Sequence, residues 1–123
     1  MTTITIRPAT AADAALILGF ITQLAIYERA EHEVVASEAD IVRTLFGEHS
    51  PTEALICSID DVPVGFAVFF TSYSTWLGRN GIYLEDLFVR PEARGSGLGK
   101  ALLARLAAIA VERDCARLEW SVL

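Results

Sequence analysis

Two clusters in this sequence hold residue types that can do chemistry. In the first, Gly95, Gly97 and Gly99 stand at every second position between Arg94 and Lys100. Such a loop can turn backbone N–H groups inward, because glycine enters conformations closed to residues with a Cβ. The apolar run before it ends at Val89, stopped by Arg90-Pro91, since proline lacks an N–H and restrains its predecessor. After it, Leu98, Leu102, Leu106 and Ile109 recur at helical spacing. Strand, glycine loop and helix together make an anion cradle: the first helical turn offers unpaired N–H groups and the positive end of the helix dipole, and Arg94 adds a full charge. In the second cluster, Glu85 and Asp86 interrupt the apolar strand Ile82 to Val89. Strand alternation predicts opposite faces for them, and burying either without a partner is costly.

Spacing narrows the kind of cradle. A P-loop requires glycine where Arg94 stands and Ser or Thr where Ala101 stands. A dinucleotide fingerprint fits Gly95 and Gly97 but needs its third glycine at Lys100. The pattern that fits is Arg94-x-x-Gly97-x-Gly99 directly after a strand.

That pattern resembles the coenzyme A loop of the GNAT superfamily of N-acetyltransferases, and further segments are similar to its diamine (spermidine/spermine) acetyltransferase branch. They are Ile6-Arg7-Pro8-Ala9-Thr10-Ala11-Ala12-Asp13, Leu24-Ala25-x-Tyr27-Glu28, Phe46-Gly47-Glu48-His49, Val64-Gly65-Phe66-Ala67, Trp76-x-Gly78 and Tyr83-Leu84-Glu85-Asp86. The resemblance covers essentially residues 4 to 123. It implies an α+β fold, a central, mostly antiparallel sheet flanked by helices, and acetyl-CoA as cosubstrate. It further implies transfer of acetyl to a primary amine of a small cationic substrate, a polyamine, diamine or aminoalkyl amino acid.

By matching position, Leu87, Phe88 and Val89 are expected to offer backbone groups to the pantetheine arm, with an N–H near Phe88 polarising the thioester. Arg94, Gly95, Ser96, Gly97, Leu98, Gly99 and Lys100 are expected around the pyrophosphate. Glu85 is the expected general base; Tyr27, Glu28, Asp86 and Trp76 line the expected acceptor site. Without the resemblance, Tyr27 to Glu33 reads as a solvated helix end and Trp76 as packing beneath a loop. Members of the family continue past the fifth strand with a segment that bears the tyrosine proposed to protonate the leaving thiolate. Nothing here matches that segment, so the domain is read as lacking its C-terminal third and no general acid is assigned. A catalytically inactive coenzyme A-binding module, or a form completed by a partner, is the alternative. Family members are dimeric, which implies a homodimer.

The elements that must position these groups are legible in order. Thr3–Arg7 alternates as a first strand ended by Pro8. Thr10 with Asp13 caps a helix whose stripe is Leu16, Ile17, Phe20, Ile21, Leu24 and Tyr27. Ser37 with Asp40 caps a second helix with Ile41, Val42, Leu45 and Phe46 on one face, stopped by Gly47. Two apolar runs, 53–59 and 64–73, flank Asp60-Asp61-Val62-Pro63 as a hairpin, and Gly65 marks a bulge or a close backbone approach. Ser74 to Gly81 is a loop, the third helix runs to about Arg113, and 116–123 is a fifth strand.

At 123 residues the chain is read as one domain, residues 1–123. Its formal charge of −6 disfavours nucleic acid and anionic membrane and favours a cationic ligand. No apolar run approaches the ~18 residues of a membrane span. The opening Met-Thr-Thr-Ile-Thr-Ile lacks signal-peptide character, and Cys57 and Cys115 read as reduced core thiols, so a cytoplasmic address is expected. No metal-ligand spacing is present.

Overall fold

Five strands pair in the order of the chain, and each element follows from local sequence. The computed structural model describes residues 2–121. Strand β1 (Ile4–Pro8) lies antiparallel to β2 (Thr52–Ile59), β2 to β3 (Val62–Ser74) and β3 to β4 (Arg79–Val89), whereas β5 (Leu118–Trp120) is parallel to β4. Three α-helices lie among the described residues: α1 (Ala14–Tyr27), α2 (Glu38–Leu45) and α3 (Leu98–Glu112). The α+β sheet with flanking helices expected from the sequence is present.

Alternation along the central strands sorts side chains into two cores. Leu55, Cys57, Ala67, Phe69, Ile82, Leu84 and Val89 pack against Leu98, Leu102, Leu106 and Ala110 of α3. On the other face Ala54, Ile56, Phe66, Val68 and Phe88 pack against Ile17 and Phe20 of α1 and Ile41 of α2. A sheet covered on both sides has apolar residues at successive positions, which is why β2 and β3 read as unbroken runs. Phe20 stacks on Phe66 with ring centroids 5.4 Å apart.

Both predicted capping boxes form, Thr10 with Asp13 and Ser37 with Asp40. Thr10 starts a short 3₁₀ turn, Ala11–Asp13, so α1 itself begins at Ala14. Asp60 and Asp61 both take positive φ, +50° and +67°, the conformation of a tight hairpin whose twist matches its strands. The predicted four-residue hairpin is therefore a two-residue turn, with Val62 and Pro63 already in β3. Gly65 marks both irregularities expected of it: the β2–β3 register shifts beside it, between Cys57↔Gly65 and Ser58↔Pro63, and a Cβ there would lie 2.5 Å from Phe88 O and 2.9 Å from Cys57 Sγ. Strand β4 starts at Arg79, earlier than expected, because the β3–β4 ladder continues to Ser74↔Arg79. Strand β5 is shorter than expected, and residues 122 and 123 of that expectation lie outside the described residues. Tyr27, expected on the buried stripe of α1, is 68% exposed at the last turn. Among the described residues no helix is long and apolar enough to cross a membrane.

Arg7 secures the entry to α1 through paired hydrogen bonds to Asp13, 2.8 and 2.9 Å. These bonds, with a further one from the Thr10 N–H, hold the Asp13 carboxyl down at about 2. A lowered folded-state value contributes stability above the ordinary carboxylate range and loses it as pH falls through the folded value. Asp13→Asn is therefore expected to lower Tm at pH 7 and to flatten the wild-type loss of stability between about pH 4 and pH 2, as followed by circular dichroism melts across that range.

Candidate active site

The cradle is built as its residue types require. Gly95 and Gly97 take φ of +87° and +82°, left-handed conformations that side chains strain, and Gly97 is the N-cap of α3. The first bond along α3 runs from Ala101 N–H to Gly97 O at 2.9 Å, so the N–H groups of Leu98, Gly99 and Lys100 precede the helical ladder. No side-chain cap bonds to this terminus and no acid stands in its first turn. Those N–H groups keep their capacity for an anion. The Ser96 hydroxyl donates to Ala93 O and tightens the loop.

The cleft of about 590 Å³ that opens from this loop is lined by Leu24 and Tyr27 of α1, Leu87, Phe88 and Val89 of β4, and Arg94, Gly95, Gly97, Leu98 and Gly99. Its floor is an open strand edge. Strand β5 pairs with β4 only over Ile82, Tyr83 and Leu84. Beyond Leu84, no described strand lies on that side of β4.

What polar groups this edge carries depends on one residue. In the β3–β4 ladder Val68 opposes Asp86 and Phe69 opposes Leu84, leaving Glu85 as an extra residue in a β-bulge. Before the bulge, Ile82 N–H donates toward β5, to Arg117 O at 3.0 Å. After it, Arg90 N–H donates toward β3, to Val64 O at 2.8 Å. Antiparallel alternation then turns the backbone groups of Asp86 and Phe88 toward β3 and those of Leu87 and Val89 toward the open edge. Val89 O accepts from Arg94 Nε at 2.9 Å on that side. Of the three expected backbone contributors, Leu87 and Val89 present main-chain groups to the cleft, and Phe88 presents its ring.

The same bulge interrupts the strict period of two on which the opposite-face expectation for Glu85 and Asp86 rests. Asp86 turns toward α1 and α2, against a small cavity formed with Ile17, Ile21, Ile41, Thr44, Leu45, Thr52 and Val68. Burial first, and then the charges of Glu85 and Glu28, push its carboxyl above the ordinary carboxylate value. Glu85 itself is exposed. Glu28, the C-cap of α1, is exposed as well, so three carboxylates from two elements converge near the bulge.

Trp76 is not brought to this cleft. It stands 97% exposed in the turn between β3 and β4, beside Tyr73, Ser74, Thr75, Leu77 and Arg117. Several participants escaped the sequence reading. Leu24 was expected in the core and lines the cleft. The Arg94 guanidinium carbon lies 4.9 Å from the Tyr27 ring centroid and 5.6 Å from that of Phe88. Arg90 packs over Phe20 at 5.2 Å with its Nε buried and unpaired. The bulge is a mismatch between β3 and β4, so β4 alone does not mark it, and nothing in the sequence marks the Arg94 stack.

A family model described as acetyltransferase (GNAT) family matches residues 20–123. The bovine thialysine N-epsilon-acetyltransferase is 37% identical over 131 aligned positions, which cover 100% of this chain and 76% of the relative. An L-ornithine N5-acetyltransferase of Arabidopsis thaliana is 31% identical, covering 96% of this chain and 72% of that protein. Among solved structures, an integron cassette protein of V. cholerae superposes with a TM-score of 0.78 at 28% identity, covering 98% of this chain and 75% of the other.

The acid cluster also has a measurable cost. A carboxyl raised in the folded state stabilises the fold below its unfolded value and loses that contribution as pH rises through the folded value. Asp86→Asn is expected to raise Tm at pH 7 relative to wild type, with the difference vanishing below about pH 4. Thermal melts at both pH values measure this, and an unchanged Tm at pH 7 contradicts it.

Proposed function

Because the chain belongs to the acetyltransferase (GNAT) family and is an acetyl-transferring enzyme, we propose that it moves the acetyl group of acetyl-CoA to a primary amine of a small cationic substrate. A diamine, a polyamine or an aminoalkyl amino acid such as thialysine has the required chemistry. The observation that carries this reading is the course of β4. Its open edge at Leu87 and Val89 leads at one end to the N–H groups before α3 and at the other to Glu28, Glu85 and Asp86.

Acetyl-CoA supplies an activated thioester at one end of the molecule and a pyrophosphate nearer the other. The residues proposed around the pyrophosphate are Arg94, Gly95, Ser96, Gly97, Leu98, Gly99 and Lys100, where each charge-assisted hydrogen bond is worth about 1.5–3 kcal/mol. Leu87 and Val89 pair with the pantetheine arm as an added strand would, and the edge N–H of Leu87 is the group suited to polarise the thioester carbonyl. Leu24, Tyr27 and Phe88 exclude water from the slot.

At the acceptor end the obstacle is a proton. An alkylammonium with a pKa near 10.4 is only about 10⁻³ unprotonated at pH 7.4, a penalty of roughly 4 kcal/mol. Glu85, exposed at the bulge, removes that proton through water, while Tyr27, Glu28 and Asp86 hold the remaining positive charge of the acceptor. A second reading exchanges the carboxylates: Asp86 takes the proton, favoured by the burial and neighbouring charges that raise its proton affinity.

Two further parts belong to the proposal. A cytoplasmic, reducing compartment suits the free thiols of Cys57 and Cys115. A homodimer suits the exposed turn of Tyr73, Trp76 and Leu77, an apolar group of the kind that protein contacts cover. Trp76→Ser is expected to convert a dimer seen by sedimentation into a monomer; a monomeric wild type rejects this part alone.

Calorimetric titration with acetyl-CoA tests the cradle directly. Saturable binding is expected, and Gly97→Val is expected to abolish it while leaving a folded chain, because φ of +82° strains a β-branched residue. Glu85→Gln is expected to slow acetylation of spermidine or thialysine by about 10²-fold or more with acetyl-CoA affinity unchanged. An unaltered rate in Glu85→Gln together with a lost acid limb in Asp86→Asn transfers the role of base to Asp86.

A further inference from the structure

The Arg94 side chain reaches back from the cradle loop to the end of β4 and the last turn of α1. Its Nε donates to Val89 O, one of the two outward-facing backbone positions on the open edge of β4. Its guanidinium sits between the Tyr27 ring at 4.9 Å and the Phe88 ring at 5.6 Å, both of which wall the same cleft. No carboxylate anchors it there: none of the ion pairs found among the described residues includes Arg94.

A cation held by one carbonyl and two aromatic faces is held weakly enough to move. A net hydrogen bond and an exposed cation–π contact are each modest in water. One residue away, Gly95 begins the run of positive-φ and N–H-bearing positions that ends at Lys100. The long, rotatable side chain of Arg94 thus adjoins both the edge of β4 and that run.

We propose that Arg94 is a displaceable plug: it caps Val89 O and narrows the cleft beside Tyr27 and Phe88, and it must leave that position for a pantetheine arm to pair with β4 at Val89. This inference rests on the acetyl-CoA reading above and adds a positioning device to it. The two positions of Arg94 oppose each other in their effect on binding. In the slot, the side chain competes with the thioester-bearing arm. Over the cradle, it attracts phosphate. Departure of the guanidinium also bares the face of Tyr27 that turns toward the slot, so the wall between the cofactor and acceptor ends is finished only after the arm has entered.

Two fragments of the cosubstrate separate these effects, because S-acetylpantetheine has no phosphate and adenosine 3′,5′-bisphosphate has no arm. Binding of each to wild type, Arg94→Ala and Arg94→Lys is measured by calorimetry or by competition against acetyl-CoA. Arg94→Ala is expected to bind S-acetylpantetheine about tenfold more tightly than wild type and the bisphosphate about tenfold more weakly. Arg94→Lys keeps the charge but loses the planar stack and the Nε donor. It is expected to tighten S-acetylpantetheine while holding bisphosphate affinity near the wild-type value. Opposed changes of this kind do not arise from a merely structural loss. S-acetylpantetheine affinity that is unchanged, weakened or undetectable in Arg94→Ala, while acetyl-CoA still binds wild type, overturns the plug and leaves the cofactor reading standing. Failure of folded wild type to bind acetyl-CoA overturns both.

Discussion

The inserted residue at Glu85 is the constraint on which the remainder of the site depends. An antiparallel strand without a bulge keeps one phase, so the residues that bond to β5 early in β4 would share that phase with Asp86 and Phe88. Insertion of Glu85 shifts the phase. Leu87 and Val89 come to face the open edge, while Phe88 swings its ring onto Phe20 at 6.2 Å and helps close the core beneath α1. The same shift sends Asp86 toward α1 and α2 and leaves Glu85 exposed. One residue thus sets the polarity of the edge, the packing beneath it and the carboxylate environment beside it.

Strand β4 separates two opposite electrostatic demands within one element. Its C-terminal end leads into a loop that favours anions through backbone N–H groups and the start of a helix, with no acid in that helix's first turn. Near its middle stand three carboxylates in a chain whose formal charge is −6. The anion site is therefore local and made largely of main chain, whereas the cation-favouring field belongs to side chains and to the chain as a whole. Buried neighbours fix the distance between the two along the strand. Gly65 lets β3 approach Phe88 O so closely that a Cβ would collide, and Leu98 anchors the first turn of α3 beneath the cleft.

Much of this was legible in the residues. The capping boxes at Thr10 and Ser37, the hairpin at Asp60-Asp61 and the strand–glycine loop–helix sequence are local patterns whose geometry follows from short-range sterics and hydrogen bonding. Gly65 was legible as an irregularity, and it proves to be both a close approach and the neighbour of a register shift, but its contact with Phe88 O depends on a strand more than twenty positions away. The bulge at Glu85 was hidden for the same reason: it is a mismatch between two strands, and neither strand shows it alone. Trp76 was drawn into the acceptor site by the resemblance, and the length of the β3–β4 hairpin carries it to the far end of the sheet. The Arg94 stack joins a loop to the end of α1, a contact between elements that no periodicity encodes. In each of these cases the missing information is long-range pairing, not propensity.

The order of strands in the sheet has a consequence for how the chain reaches this fold. Because the sheet runs β1-β2-β3-β4-β5, every strand pairs with its neighbour in sequence, and β2, β3 and β4 follow one another through short turns. Such a meander forms by successive local closures, each with a small loop-entropy cost. Strand β1 must wait for two helices to be spanned, and β5 for α3. The central meander is thus the natural nucleus, and it already contains the bulge and the start of the open edge. The topology therefore leads to the expectation that the strand geometry of the site forms before the helices that wall it dock.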